Sequence, residues 1–236
     1  MDLAPGEQAS ARRAAVQQSL SVALATGLYA VSFGALSVAA GLDLPQTMAL
    51  SLLMFSGGSQ FAFIGVIGAG GTAAAAVAAA SLLGARNGLY GPLVAPFTGA
   101  RGWRRALAAQ VTIDESTAVS TAQPTPEAAR AGFWWTGVGI FGLWNVFTFA
   151  GALLGDALGD PRRYGLDAAA AAAFLALLWP RLADRAARVV AALGMGVALA
   201  FTPLVPSGLP VLAAALVAVV VGWRRGPQQP DAQEAP

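Results

Sequence analysis

Three groups of polar residues interrupt stretches that are otherwise apolar, and their types limit the chemistry open to the chain. In Phe55-Ser-Gly-Gly-Ser-Gln60 two glycines stand side by side. Each weakens a helix by about 1 kcal/mol relative to alanine, so the pair marks a helix unwound in the middle of an apolar segment. Half-helix ends at such a break bind the charged parts of a ligand. Ser56, Gly57, Gly58, Ser59 and Gln60 are therefore candidate binding residues; the alternative is close helix packing with the hydroxyls bonded back onto the helix. In Gly84-Ala-Arg-Asn87, Arg86 lies deep in another apolar stretch, with Asn87 beside it. A guanidinium there must face protein, water or a carboxylate. It either grips a carboxylate by a bidentate contact or belongs to a structural ion pair. Asp114-Glu115 are the only acids between residues 106 and 126. They can pair with Arg86, hold an ammonium or carry a proton, or else form a solvated cap on a helix. Trp144-Asn145 completes the set: a buried asparagine needs partners, and the indole can line a pocket for an aliphatic group or simply pack.

Composition narrows the field further. The 236 residues contain no Cys, no His and, since all fourteen basic residues are Arg, no Lys. This removes disulfides, thiolate sites, the commonest general base and Schiff-base chemistry. No metal and no cofactor is expected, nor an enzyme. A proton relay would have to run through carboxylates. Net charge is only +2, which is no nucleic-acid footprint.

The elements that must position these groups are apolar helices. Hydrophobic residues make up 56% of the chain and charged ones 11%, less than half the roughly 25% of soluble domains; mean hydropathy is +0.62. Residues 14–42, 44–85, 131–155 and 189–223 carry no charge at all. At about 20 apolar residues per crossing, the pattern predicts an all-α polytopic transmembrane bundle. Helices are expected at 17–41, 47–69 (broken), 73–97, 131–154, 166–180, 187–202 and 208–223. Disordered polar tails are expected at 1–13 and 224–236, with the transmembrane domain spanning 14–223. The segment 106–122 either lies on the surface, re-enters the membrane or crosses as an eighth span. Arg181, Arg185, Arg188, Arg224 and Arg225 place the C-terminus in the cytoplasm, and Arg12 and Arg13 suggest the same for the N-terminus. Seven crossings cannot satisfy both, unless 106–122 crosses or one helix is re-entrant. Gly84-x-x-x-Gly88 and Gly151-x-x-x-Gly155 fit close helix contact, within the bundle or against a partner.

With these residues in view, the sequence resembles the AzlC family, the large subunits of branched-chain amino acid exporters (BrnF-type). The resemblance covers about 20–223. Its pieces are Phe33-Gly34, Ala40-Gly-Leu42, Phe55-Ser-Gly-Gly-Ser-Gln-Phe61, Arg86-x-x-Leu-Tyr-Gly91, Leu93-x-Ala-Pro96 and Asp114-Glu-Ser116. Phe133-Trp-x-Thr-Gly137, Leu143-Trp144, Gly151-x-Leu-Leu-Gly155 and Gly165-Leu-Asp167 follow. It implies a permease of the cell inner membrane that exports leucine-, isoleucine-, valine- or methionine-like amino acids on an ion gradient. It also implies a small AzlD-type membrane partner; a homo-oligomer is compatible with it. The family usually reads Asn-x-Arg-His at the third-span arginine, where this chain has Gly84-x-Arg86-Asn87, so both polar neighbours differ.

Together these readings assemble one expected site. Ser56–Gln60 and Arg86 hold the amino acid's carboxylate. Asp114 or Glu115 takes the ammonium or a coupling proton. Phe61, Phe63 and Trp144 line the side-chain pocket, and Asn87 and Asn145 are further candidate substrate-binding residues. The rival readings are a transporter of another small solute and a non-transporting scaffold subunit.

Overall fold

A computed structural model describes residues 4–158, 163, 175, 178–206 and 208–225, all of them helical or in connecting turns. The helices are α1 Pro5–Ala39, α2 Leu44–Leu53, α3 Gly57–Gly68, α4 Ala73–Thr98, α5 Arg104–Gln110, α6 Asp114–Thr121, α7 Pro126–Leu158, α8 Arg185–Phe201 and α9 Leu209–Arg225, with a 3₁₀ turn at Trp179–Ala183.

The bundle buries hydroxyls and an amide beside its aromatic core and leaves large apolar side chains outside. Ser19, Ser51, Gln60, Thr136 and Thr148 are all at most 1% exposed, whereas Leu20, Leu24 and Leu28 form a half-exposed stripe along α1. The buried hydroxyls bond one another and the backbone: Thr136 Oγ1 donates to Ser19 Oγ at 2.9 Å and Ser19 Oγ to the Ala15 carbonyl at 2.7 Å. That distribution suits a surface solvated by lipid, where apolar side chains cost nothing outside.

Helices α1 and α7 run parallel and touch backbone to backbone. A Cβ on Gly34 would collide with the Thr148 carbonyl, one on Gly151 with the Val31 carbonyl, and one on Gly155 would lie 2.8 Å from Ala35 Cα. Gly151-x-x-x-Gly155 thus serves packing inside the bundle. Because the two helices are parallel, their N-terminal halves share one end. Helix α4 ends there too, since Trp134 Nε1 on α7 donates to the Thr98 carbonyl at 3.0 Å. This end gathers Arg12, Arg13, Arg101, Arg104, Arg105 and Arg130 and is the arginine-rich end.

Two segments differ from a simple series of crossings. The second expected span, 47–69, does not cross: α2 enters from the opposite end, breaks at Met54–Ser56, and α3 turns back. Gln60 Nε2 reaches back to the Leu50 and Met54 carbonyls at 3.1 and 2.9 Å, and a Cβ on Gly68 would sit 3.3 Å from Ala40 Cβ, where α1 ends. The segment 106–122 forms the counterpart. Helix α5 leaves the arginine-rich end and breaks at Val111–Ile113 against Gly137; α6 then returns, placing Val119 beside Gly132 and Gln123 Nε2 3.0 Å from Gln18 Oε1. Gly137 is about 17 Å along α7 at about 1.5 Å per residue, so each hairpin reaches the middle of the bundle. The tips meet there: Gln110 Nε2 donates to the Leu52 carbonyl at 2.8 Å. Each hairpin precedes a helix that runs the length of the bundle, α4 in one direction and α7 in the other. This is the inverted arrangement of many transporter folds.

The described residues do not establish the expected count of seven spans. Two helices, Pro5–Ala39 and Pro126–Ala157, are both long and apolar enough to cross a membrane. Helix α4 has the length, 26 residues, but carries Arg86 and Asn87. The expected disordered tail 1–13 is corrected as well: Pro5 starts α1, Glu7 Oε2 accepts the Ala4 N–H at 2.9 Å, and the following Ala, Gln and Arg are good helix formers. Helix 131–154 extends to Pro126 and Leu158. Most of the expected helix 166–180 and most of the tail 224–236 lie outside the described residues.

Candidate functional site

The site forms where the two hairpin tips meet α1, α4 and α7. Local sequence makes each tip. At the first, Gly57-Gly58 cannot continue α2. Met54 and Ser56 adopt non-helical backbone (φ −100°, ψ 62° and φ −156°, ψ 104°), and α3 restarts at Gly57. Gln60 adds a second donor to the Leu50 and Met54 carbonyls, which also accept the Met54 and Ser56 N–H, Gln110 bonds the Leu52 carbonyl, and Ser59 Oγ donates to Ser56 Oγ at 3.1 Å. At the second tip, Ser116 Oγ accepts the Ile113 N–H at 3.0 Å and donates to the Val111 carbonyl at 2.7 Å. That opens α6 with Asp114 and Glu115 in its first turn.

Arg86, on the middle turns of α4, pairs with Asp114: Nη2 to Oδ2 is 2.6 Å. Their side chains are 32% and 21% exposed, and this is the one ion pair among the described residues. Tyr90, one turn further along α4, donates its hydroxyl to Asp114 Oδ1 at 2.5 Å. Tyr29 on α1 joins them from the other side. Its hydroxyl is near enough to Glu115, Asp114 and Arg86 to feel all three charges, and it lies 2.9 Å from where a Cβ on Gly57 would be. Glu115 stands within electrostatic reach of Asp114 and Arg86. Beside this polar group is an aromatic cage. The Tyr29 ring meets Trp144 edge-on at 4.9 Å and stacks on Phe61 at 5.9 Å, and Phe33 packs on both Phe61 and Trp144.

Of the sequence candidates, Ser56, Gly57, Gly58, Ser59, Phe61, Arg86, Asp114, Glu115 and Trp144 converge here. Gly84 lets α4 pass flush against α3, since a Cβ there would sit 3.0 Å from Ser59 Oγ. Three candidates are diverted. Gln60 is fully buried and its amide caps the broken helix. Phe63 lines an apolar groove of about 520 Å³ between α2 and α3 with Leu42, Leu50 and Leu53, away from the cage. Asn145 donates Nδ2 to the Phe141 carbonyl at 2.7 Å, on the α7 face that meets Phe55 and α2. Asn87 follows Arg86, with its buried Oδ1 unpartnered, as are Arg86 Nε and Trp144 Nε1. Two contributors escaped the sequence reading. Tyr90 carried a signal, standing four residues after Arg86 and so on the same helix face. Tyr29 carried none.

Chemically, the arrangement offers a cation and helix N-terminal amides on one side, two carboxylates on another, and an aromatic wall. No group of His, Cys, Asp and Glu that could hold a metal occurs among the described residues. A family model described as AzlC protein matches residues 21–158, from α1 through both hairpins to the end of α7. No curated protein and no solved structure matches the chain.

Proposed function

Because the chain belongs to the AzlC family, whose model matches more than half of it, we propose that it is the large subunit of a secondary active exporter of branched-chain and other aliphatic amino acids. The solutes are leucine, isoleucine, valine and methionine, and a small AzlD-type membrane protein is its partner. The observation that carries this reading is the Arg86–Asp114 pair held between two hairpin tips beside an aromatic cage. A zwitterion presents the same two charges. Its carboxylate replaces Asp114 on Arg86 and takes the Gly57 and Gly58 amides at the start of α3, where the helix dipole favours an anion. Its ammonium goes to Asp114 and Glu115. Its aliphatic side chain lies on Tyr29, Phe61 and Trp144, where burying a leucine-sized group contributes about 1.5–3 kcal/mol. One methylene changes that only slightly, so selectivity among aliphatic residues is broad. Since the hairpins enter from opposite ends, withdrawing one or the other opens the site to one side at a time. The arginine-rich end, with Arg224 and the C-terminus, faces the cytoplasm of the inner membrane. No bond is made or broken in the cycle, so the protein is not an enzyme.

The test is leucine and methionine efflux from cells loaded with peptides, comparing the chain with its small partner, the chain alone, and neither. Faster efflux with both, abolished by Arg86→Ala in a protein that still inserts, is expected. Unchanged efflux with both proteins in the membrane would assign the site to another solute, and the altered neighbours Gly84 and Asn87 would be the place to look.

A further inference from the structure

We propose that the pocket between the α4–α5 turn and the start of α7 binds the phosphate of an anionic phospholipid. The pocket holds about 390 Å³ and is lined by Arg104, Arg130, Trp103, Trp134 and Leu107 among others. It lies at the arginine-rich end, at the root of the second hairpin. Four features give it this ligand. First, its charge is unanswered: Arg104 and Arg130 both line it, while the only ion pair among the described residues is Arg86–Asp114. Second, the α4 carbonyls that would otherwise use these donors are already served. Arg130 Nε donates to the Phe97 carbonyl at 3.1 Å and Trp134 Nε1 to the Thr98 carbonyl. The rest of the Arg130 fork and all of Arg104 are left for an external anion. Third, the fork is seated by backbone geometry. Gly99 has φ +62°, and a Cβ there would lie 3.0 Å from the Arg130 guanidinium carbon, so glycine makes the room. Fourth, the rim is amphipathic: Trp103 is 73% exposed and Leu107 47%.

An aromatic ring and an aliphatic side chain beside two guanidinium groups match the boundary between a phosphodiester and its acyl chains. A soluble phosphate needs the arginines but not the apolar rim, so the lipid is the source the pocket fits. The site matters for function because Arg104 is the first residue of α5. A lipid held there braces the root of the hairpin that carries Asp114 and Glu115.

The experiment is lipid binding to the purified full-length chain, by native mass spectrometry in detergent with added phosphatidylglycerol, phosphatidylcholine or inorganic phosphate. Phosphatidylglycerol is expected to bind saturably and phosphatidylcholine not to. Arg104→Gln weakens phosphatidylglycerol about tenfold and Arg104→Lys less, while the double variant Arg12→Gln/Arg13→Gln, which removes more charge from the same end, leaves binding unchanged. Helix content by circular dichroism checks that each variant is folded. Undiminished binding by folded Arg104→Gln overturns the proposal, and so does an equal loss in the Arg12/Arg13 variant, which would make the effect one of general surface charge. Displacement of the lipid by millimolar inorganic phosphate overturns the assignment to a lipid and makes the ligand a soluble anion.

Discussion

Removing the charge of Asp114 separates the two halves of the proposed binding site. Asp114→Asn keeps an oxygen for the Tyr90 hydroxyl, which now bonds Oδ1 at 2.5 Å, but ends the 2.6 Å ion pair with Arg86. A hydrogen bond to a charged group contributes about 1.5–3 kcal/mol. With Arg86 32% and Asp114 21% exposed, solvent screens the site, and the lower part of that range, about 1.5–2 kcal/mol, applies. An ammonium that loses Asp114 should therefore bind roughly 10- to 30-fold more weakly. The carboxylate side moves the other way, because Arg86 no longer has an internal competitor. Leucine and its deamino analogue 4-methylpentanoate share the carboxylate and the side chain and differ in the ammonium. The expected result is a selectivity switch: Asp114→Asn weakens leucine by that factor and leaves 4-methylpentanoate unchanged or tighter, whereas Arg86→Gln weakens both. Equilibrium binding of the two radiolabelled ligands to the purified protein with its partner measures it. If Asp114→Asn weakens both ligands equally, or leaves leucine binding intact, the division of the site into an ammonium half and a carboxylate half is wrong.

Three further outcomes follow from the geometry. The chain has no cysteine, so the pair Ala40→Cys/Gly68→Cys should form a spontaneous disulfide in the membrane, scored by a reducible mobility shift. Built Cβ atoms there are 3.3 Å apart, whereas a straight second span would separate them by about 30 Å; absence of the cross-link under oxidant would remove the first hairpin. Gln60→Leu should lower thermal stability by about 1–3 kcal/mol, through loss of its two hydrogen bonds to the Leu50 and Met54 carbonyls at about 0.5–1.5 kcal/mol each, without changing the ratio of leucine to methionine efflux. A shifted ratio would return Gln60 to the binding site. Gly57→Ala should abolish leucine binding in a protein that folds and inserts, because the methyl group meets the Tyr29 hydroxyl at 2.9 Å and Trp144 at 3.0 Å; wild-type affinity would show that this face of α3 is not used.

The sequence announces the helices and the first break, because charge-free stretches and adjacent glycines are local signals. It does not announce the turn-back. Hydropathy records that α2 and α3 are apolar, and a crossing and a hairpin bury the same residues. The α5–α6 hairpin was harder still, since Arg104 and Arg105 at its root left lying on the surface, re-entry and crossing equally open for 106–122. Arg86, Asp114 and Trp144 stood out because charge and indole are rare in such stretches. Gln60 stood out for the same reason and serves a different purpose: an amide beside a broken helix reads alike whether it holds a ligand or a carbonyl. Tyr29 was silent, one of two aromatics in an apolar α1, and only the approach of Gly57 gives it a place. The N-terminal residues looked like a tail because they are polar, yet polarity there reflects water around an exposed helix. The parity conflict between the arginines of the two termini was itself informative: it left an eighth crossing, a re-entrant helix or a misleading N-terminal signal as the ways out.

The Arg86–Asp114 contact has a consequence for the return stroke. Asp114 belongs to one hairpin and Arg86 to a long helix, so the two halves of the proposed site ride on different bodies. A bound amino acid joins them when the cavity is full. When it is empty, the protein's own guanidinium and carboxylate join them instead. On the proposed reading as an exporter, the unloaded carrier thus has a latch of its own and can reorient without cargo. A carrier with that freedom performs net export; one lacking it would be confined to trading one amino acid for another.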